Sequence, residues 1–139
     1  MVQKEVAERL VATPGGKDYG ILAVVLGSIF AIEVVRTVPP NVFWPKPEVE
    51  SAVVRLVPGP AWDQDEFEAF QATVRRVFGQ RRKKLRTILR SRFDLKDDRV
   101  DALVAAAGVD PDRRPEQIEP DGYRRLAKAL GQGGTEEVP

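Results

Sequence analysis

The chain has 139 residues, 42% of them apolar and 31% charged, a length and balance typical of one globular domain or two small ones. It contains no cysteine and no histidine, which excludes disulfides, thiolate metal sites, cysteine nucleophiles and histidine triads, and argues against zinc. The formal net charge of +1 hides a strong segregation of charge along the chain, described below.

The first 28 residues predict two helices. Apolar residues recur every four positions at Val2, Val6 and Leu10, which indicates a helix over residues 2–12. After a Pro-Gly-Gly turn, Asp18 is the predicted N-cap of a second helix, from about Tyr19 to Ser28. This helix is apolar nearly all round and should be buried, yet it is shorter than the ~20 apolar residues needed to cross a membrane.

Two strands follow, joined by a stiff loop. Residues 29–38 and 49–57 are short and rich in β-branched residues, and the second is apolar almost throughout, as in a buried strand. Four prolines lie within residues 39–47 and restrict the connecting loop, which carries Phe43 and Trp44. Composition favours both aromatics as core residues over base-stacking residues.

Everything after Pro58-Gly59-Pro60 reads as helical, so a domain boundary is predicted there. Asp63 is the expected N-cap of a helix interrupted at Gly79. Further helices are predicted after that glycine, over residues 97–107 with Gly108 as the stop, and from Pro120 to Leu130. Residues 132–139 are predicted to be a disordered tail.

One basic segment, Arg75 to Arg92, holds nine basic residues and no acidic one, whereas eleven acids outnumber seven bases from Asp94 onward. Like charges at this density repel one another unless an anion binds them, and nucleic-acid phosphates are the obvious candidates. The alternative is a solvated helix face whose arginines pair with the later acidic helices. The predicted RNA-binding residues are Arg75, Arg76, Arg81, Arg82, Lys83, Lys84, Arg86 and Arg90.

Three blocks of the sequence resemble the bacterial 16S ribosomal RNA adenine dimethyltransferase family. They are residues 1–10, residues 38–56 with the pattern Val38-Pro39-Pro40-x-x-Phe43-x-Pro45-x-Pro47, and residues 78–86 with Gln80-Arg81-Arg82-Lys83. The blocks occur in the family's order and span about residues 1–130.

The resemblance implies an α+β chain: the terminal helices and strands of a doubly wound α/β methyltransferase domain (residues 1–59), followed by a small all-α rRNA-docking domain (residues 60–131). It implies methyl transfer from S-adenosylmethionine to two adjacent adenines near the 3′ end of 16S rRNA, on the small ribosomal subunit in the cytoplasm. The target base is flipped into a pocket. Phe43 matches the family's phenylalanine that flanks that base. Trp44 is still interpreted as a residue of the core or of the rim.

The family's glycine-rich cofactor loop and its Asn-x-Pro-Tyr motif do not occur in this sequence. The 139 residues alone are therefore expected to bind no cofactor and no metal, to contain no catalytic residue and to be inactive. Helix 19–28 should be only partly covered without the rest of the methyltransferase domain. We therefore expect the chain to self-associate or to have a disordered start. Two alternatives stay open: a non-enzymatic RNA-binding module and a helical protein-interaction domain.

Overall fold

The computed structural model describes the backbone of residues 1–137 and the side chains of residues 1–131. In that part the fold is mixed α/β, with one three-stranded sheet and six α-helices. The strands are β1 (Val2–Gln3), β2 (Phe30–Val38) and β3 (Ser51–Pro58). The helices are α1 (Lys4–Leu10), α2 (Ile21–Ile29), α3 (Gln64–Phe78), α4 (Leu85–Arg92), α5 (Asp97–Ala107) and α6 (Pro120–Glu137).

The sheet is antiparallel, with the order β1-β3-β2. Strands β2 and β3 pair from Phe30 opposite Pro58 to Val38 opposite Ser51, with a register irregularity between Val34 and Arg36. Strand β1 pairs only with Ser51 and Ala52, at one end of this ribbon. The connection between Val38 and Ser51 is therefore a long hairpin loop, and it is this loop that carries the prolines and aromatics.

The main core lies among the helices. Helix α2 contributes Ala23, Val24 and Val25 to a buried cluster built mostly from α3, α4, α5 and α6. Helix α2 precedes the predicted domain boundary, so one core includes residues from both sides of it. Ile21 and Leu22 are 39% and 37% exposed, so the helix is only partly covered, as predicted.

Two local predictions near the N-terminus are wrong. Val2 and Gln3 belong to a strand and not to the first helix, because they pair with Ala52 and Ser51 about fifty positions away. Asp18 does not cap α2, whose N-cap is Gly20 without a side-chain hydrogen bond. The first error has a physical cause that local periodicity does not show, namely a long-range strand pairing.

Strand β3 is not the buried strand that its composition predicts. Only Ala52 is buried, whereas Leu56 and Val57 are 46% and 50% exposed. The strand has neighbours on both sides only where β1 reaches it, and β1 is two residues long. The strand begins at Ser51, not at Val49, which is itself exposed.

The helical predictions are largely confirmed. Asp63 accepts a hydrogen bond from the Glu66 backbone N–H at 3.2 Å, and α5 has the predicted bounds. Gly108 ends α5 at a φ of 65°, a left-handed conformation that favours glycine. Helix α6 extends beyond the end predicted at Leu130. The backbone of residues 132–137, part of the tail predicted to be disordered, lies in this helix, whereas residues 138 and 139 lie outside the described backbone. No helix in the described backbone has the length and apolarity to cross a membrane.

Two buried tyrosines, one in the loop before α2 and one in α6, bond to the loop before α6. The Tyr19 hydroxyl donates to the Ile118 carbonyl and the Tyr123 hydroxyl to the Pro115 carbonyl, both at 2.7 Å. Burial raises the pKa of each hydroxyl well above the ordinary tyrosine value, and nearby negative charge raises it further.

These tyrosines predict a loss of stability in alkali. Above the ordinary tyrosine pKa of about 10, the unfolded chain loses both protons while the folded chain keeps them, so the folded state binds more protons. The free energy of unfolding should then fall by up to ~1.4 kcal/mol per pH unit for each tyrosine. Urea unfolding at several pH values above 9 measures this slope, and Tyr19→Phe should reduce it by about half. An unchanged slope in that variant would contradict the prediction.

Candidate nucleic-acid interface

The basic segment occupies the end of α3, the turn that follows and all of α4. Helix α3 buries Val74, Val77 and Phe78 on one face, which leaves Arg75 and Arg76 on the exposed face. Helix α4 likewise buries Leu85, Ile88 and Leu89. The apolar spacing therefore turns most of the basic side chains outward.

Two arginines of the segment pair with later acidic residues, as the alternative interpretation predicts. The Arg86 guanidinium lies 3.0 Å from the Asp101 carboxylate and 3.8 Å from that of Asp112. Arg90 lies 2.6 Å from Asp97. These contacts join α4 to α5 and to the loop after it. Part of the positive charge of the basic segment is therefore neutralised by aspartates of the same chain.

Two further arginines are held by neutral groups. Arg76 donates to the backbone carbonyl of Arg92 and stacks over the Phe93 ring, 4.1 Å from its centre. Arg81 donates to the Tyr19 carbonyl at 2.9 Å. Both keep their full charge, because carbonyl and aromatic partners do not neutralise a guanidinium.

The remaining five basic residues have no ion pair and no side-chain hydrogen bond within the described part of the chain. All are exposed. We call them the free cations: Arg75, Arg82, Lys83, Lys84 and Arg92. Three are consecutive in the turn before α4, so this turn is the densest unpaired positive charge of the segment.

The aromatic loop, residues 39–50, is anchored at both ends. Strands β2 and β3 pair directly below it, and the Lys4 backbone N–H donates to the Glu50 carbonyl at 2.9 Å. Within it, residues Pro40–Val42 form a 3-10 turn, and the Phe43 N–H donates to the Pro40 carbonyl at 3.2 Å. A turn fixed in this way holds the following side chains on a rigid base.

The two aromatics of the loop differ sharply in exposure. Phe43 is half-buried, so one part of its ring packs on the protein and the rest stays available. Trp44 is 95% exposed, which overturns the core interpretation of this residue. A composition argument fails here because the proline-framed loop joins the ends of the paired strands β2 and β3 and leaves the Trp44 side chain in solvent.

Helix α1 connects the loop to the basic segment. Lys4, at its start, lies 3.5 Å from the Glu50 carboxylate at the base of the loop. Arg9, near its end, lines a cleft of about 390 Å³ together with Phe78 and Arg81. Arg9 lies five positions after Lys4 along the helix, a rise of about 7.5 Å. Helix α1 therefore runs from the base of the aromatic loop to the cleft beside the basic segment.

Sequence reasoning missed the other basic residues of this cleft, Arg9 and Lys17. Each comes from a separate segment, with Asp18 beside them, and neither belongs to a basic run. Their proximity to Arg81 depends on how α1 and the loop before α2 pack against α3. Among residues 1–131, no group of three or more acidic side chains is arranged to hold a metal ion.

Comparison with known proteins decides the family. Residues 1–132 match the family model described as "Ribosomal RNA adenine dimethylase". The chain belongs to the ribosomal RNA adenine dimethylase family.

Relatives in this dimethylase family are similar over nearly the whole chain. The ribosomal RNA small subunit methyltransferase A of Laribacter hongkongensis is 44% identical over 138 residues, which are 98% of this chain and 50% of that protein. The enzyme of the same name from Desulfitobacterium hafniense is 44% identical over 132 residues, 94% of this chain and 47% of that protein. The chain thus spans about half the length of these relatives.

Solved structures agree on the fold. A dimethyladenosine transferase from Plasmodium falciparum superposes with a TM-score of 0.74 at 19% identity, over 95% of this chain and 56% of that one. The 23S rRNA methyltransferase ErmE superposes with a TM-score of 0.61 at 27% identity, over 94% of this chain and 52% of that one. The family model and the relatives confirm that the chain belongs to the dimethylase family, and the solved structures agree on its fold.

Proposed function

We propose that the chain is the C-terminal part of an rRNA (adenine-N6,N6)-dimethyltransferase. The complete enzyme dimethylates two adjacent adenines near the 3′ end of 16S rRNA on the small ribosomal subunit, with S-adenosylmethionine as methyl donor. The family membership and the names of the relatives support this substrate class. The observation that carries the role of this chain is the set of five free cations on one segment.

These cations give the chain an RNA-binding function. The fold leaves them unpaired although eleven acidic residues follow in the sequence, and acidic side chains nearby pair with Arg86 and Arg90 instead. Unpaired, exposed cations bind phosphates with release of counterions, which favours association. Arg86 and Arg90, which the sequence placed among the RNA contacts, orient α4 and reach phosphates only with the part of each guanidinium not held by aspartate.

Phe43 has a different role in this proposal. Its half-buried ring, on a loop fixed by the strand pair and by α1, is suited to stack on a flipped adenine. Trp44 lies at the rim of the same loop.

The chemistry itself belongs to the complete protein. The family's glycine-rich loop and Asn-x-Pro-Tyr motif do not occur among these 139 residues, so the chain alone neither binds S-adenosylmethionine nor transfers methyl groups. In the complete enzyme, residues 1–59 complete a doubly wound methyltransferase domain and residues 60–131 form the rRNA-docking domain. The exposed apolar residues Val35, Leu56 and Val57 then meet the rest of that domain; in the isolated chain they drive self-association.

RNA affinity should fall steeply with salt. If each of the five free cations meets one phosphate of a single-stranded RNA segment, these contacts should contribute about −3.5 to the log–log slope of affinity against salt, at about −0.7 for each contact. The measurement is a salt titration of binding to an RNA hairpin that carries the 3′-terminal small-subunit sequence.

A matched pair of variants tests the assignment. Replacing Lys83 and Lys84 with glutamine should make the slope less steep by about 1.4, since two phosphate contacts are lost. Replacing Lys96 and Lys128, two exposed lysines outside the segment, should leave it unchanged. A flat salt response in the unchanged chain would instead favour a helical protein-interaction domain.

A further inference from the structure

The cleft between α1 and the basic segment has an unbalanced charge. It is lined by three cations, Arg9, Lys17 and Arg81, and by one carboxylate, Asp18. These cations come from α1, from the loop before α2 and from the turn after α3, so the fold and not the local sequence brings them together. Cations that converge in this way repel one another unless an anion lies between them.

The described residues neutralise little of this positive charge. Lys17 has no ion pair and no side-chain hydrogen bond among the described residues. Arg81 donates to a carbonyl, which carries no charge. Arg9 pairs with Glu5 at 3.0 Å, but both side chains are more than half exposed, so water weakens the pair.

We propose that the cleft binds one nucleotide of the RNA, with its phosphodiester group on Lys17, Arg81 and Arg9. This inference rests on the proposed RNA-binding function and adds a site outside the basic segment. The shape supports it: about 390 Å³ holds more than a phosphate, and the half-exposed Ile21 and Leu22 offer apolar surface to the sugar and base.

The position of the cleft identifies the anion as part of the same RNA. On one side, Arg81 adjoins the free cations Arg82, Lys83 and Lys84 in the chain. On the other, α1 leads to Lys4 and Glu50 at the base of the loop that carries Phe43. An RNA strand that runs from the free cations to Phe43 therefore passes over the cleft, which guides it between the docking surface and the target-base loop.

Lys17→Gln tests the site, because Lys17 makes no described side-chain contact and its loss should leave the fold intact. With the same RNA hairpin we expect affinity to fall by roughly 3- to 10-fold at about 0.1 M salt, and the salt slope to become less steep by up to about 0.7, because Arg81 and Arg9 still contact the phosphate. Lys96→Gln is the matched control and should change neither. Thermal unfolding of both variants checks that the fold is unaltered.

The outcomes separate this site from the proposed function. If Lys83 and Lys84 contribute to the slope but Lys17→Gln binds as tightly as the unchanged chain, the cleft proposal is overturned and RNA binding by the segment stands. If Lys17→Gln and Lys96→Gln weaken binding equally, the loss reflects the overall positive charge of the chain, and the cleft proposal is again overturned. If the unchanged chain shows no salt-dependent RNA binding, both proposals are overturned together.

Discussion

Replacing Trp62 with alanine is expected to lower the free energy of unfolding by about 3 kcal/mol, a large share of a typical domain's stability. The indole ring lies 4.9 Å from Phe70 and 5.4 Å from Phe67 between ring centres, and the Arg124 guanidinium lies 4.3 Å from its centre. Its Nε1–H donates to the Ser28 carbonyl at 3.2 Å. Trp62 thus joins the end of α2 to α3 and α6, and its loss opens a cavity between them.

The matched control is Trp44→Ala. Because Trp44 is 95% exposed, its removal should change the free energy of unfolding by less than about 0.5 kcal/mol. Urea unfolding followed by circular dichroism measures both variants without relying on tryptophan fluorescence. Trp62→Phe should lose only part of the stability, since it keeps ring packing but not the bond to Ser28. Equal losses in the Trp44 and Trp62 variants would contradict the structure of this region.

Replacing Phe43 with alanine in the full-length protein should lower methylation of small-subunit RNA far more than it lowers RNA affinity. Loss of one stacking contact costs about 1–3 kcal/mol, which corresponds to a 5- to 150-fold slower transfer if stacking holds the flipped adenine. The free cations lie outside this loop and keep most of the binding energy. Methyl incorporation from labelled donor and RNA affinity are measured on the same variant.

Two controls make this result interpretable. Phe43→Tyr keeps an aromatic ring and should restore most of the methylation. The unchanged 139-residue chain, tested alone, should transfer no label; detectable transfer by it would contradict the proposal that the cofactor site lies outside these residues. Equal losses of methylation and affinity in Phe43→Ala would make Phe43 a structural residue.

The residues proposed to bind RNA or to stack on its bases divide into those with a local sequence signal and those without one. The basic segment was visible because nine cations occur within eighteen residues, and Phe43 was found through a proline-rich block that resembles the family. The sequence did not show which of the nine cations are free. Arg86 and Arg90 pair with aspartates 7 to 26 positions later, and no periodicity predicts such contacts.

Helices α3 to α5 were largely predictable from the amino-acid sequence, because their caps and apolar stripes depend on residues three or four positions apart. Asp63 and Gly108 are examples. The family was likewise readable from blocks of consecutive residues. These properties are local, so the sequence alone is enough to establish them.

Long-range packing settled the rest. Val2 and Gln3 form a strand because β3 lies beside them, Trp44 is exposed because its loop joins the ends of the paired strands and leaves it in solvent, and the cleft exists because α1 and the loop before α2 meet Arg81. Each outcome depends on residues tens of positions apart, whose contact is decided by the free energy of the whole fold. The sequence pattern near any one of these residues does not contain that information.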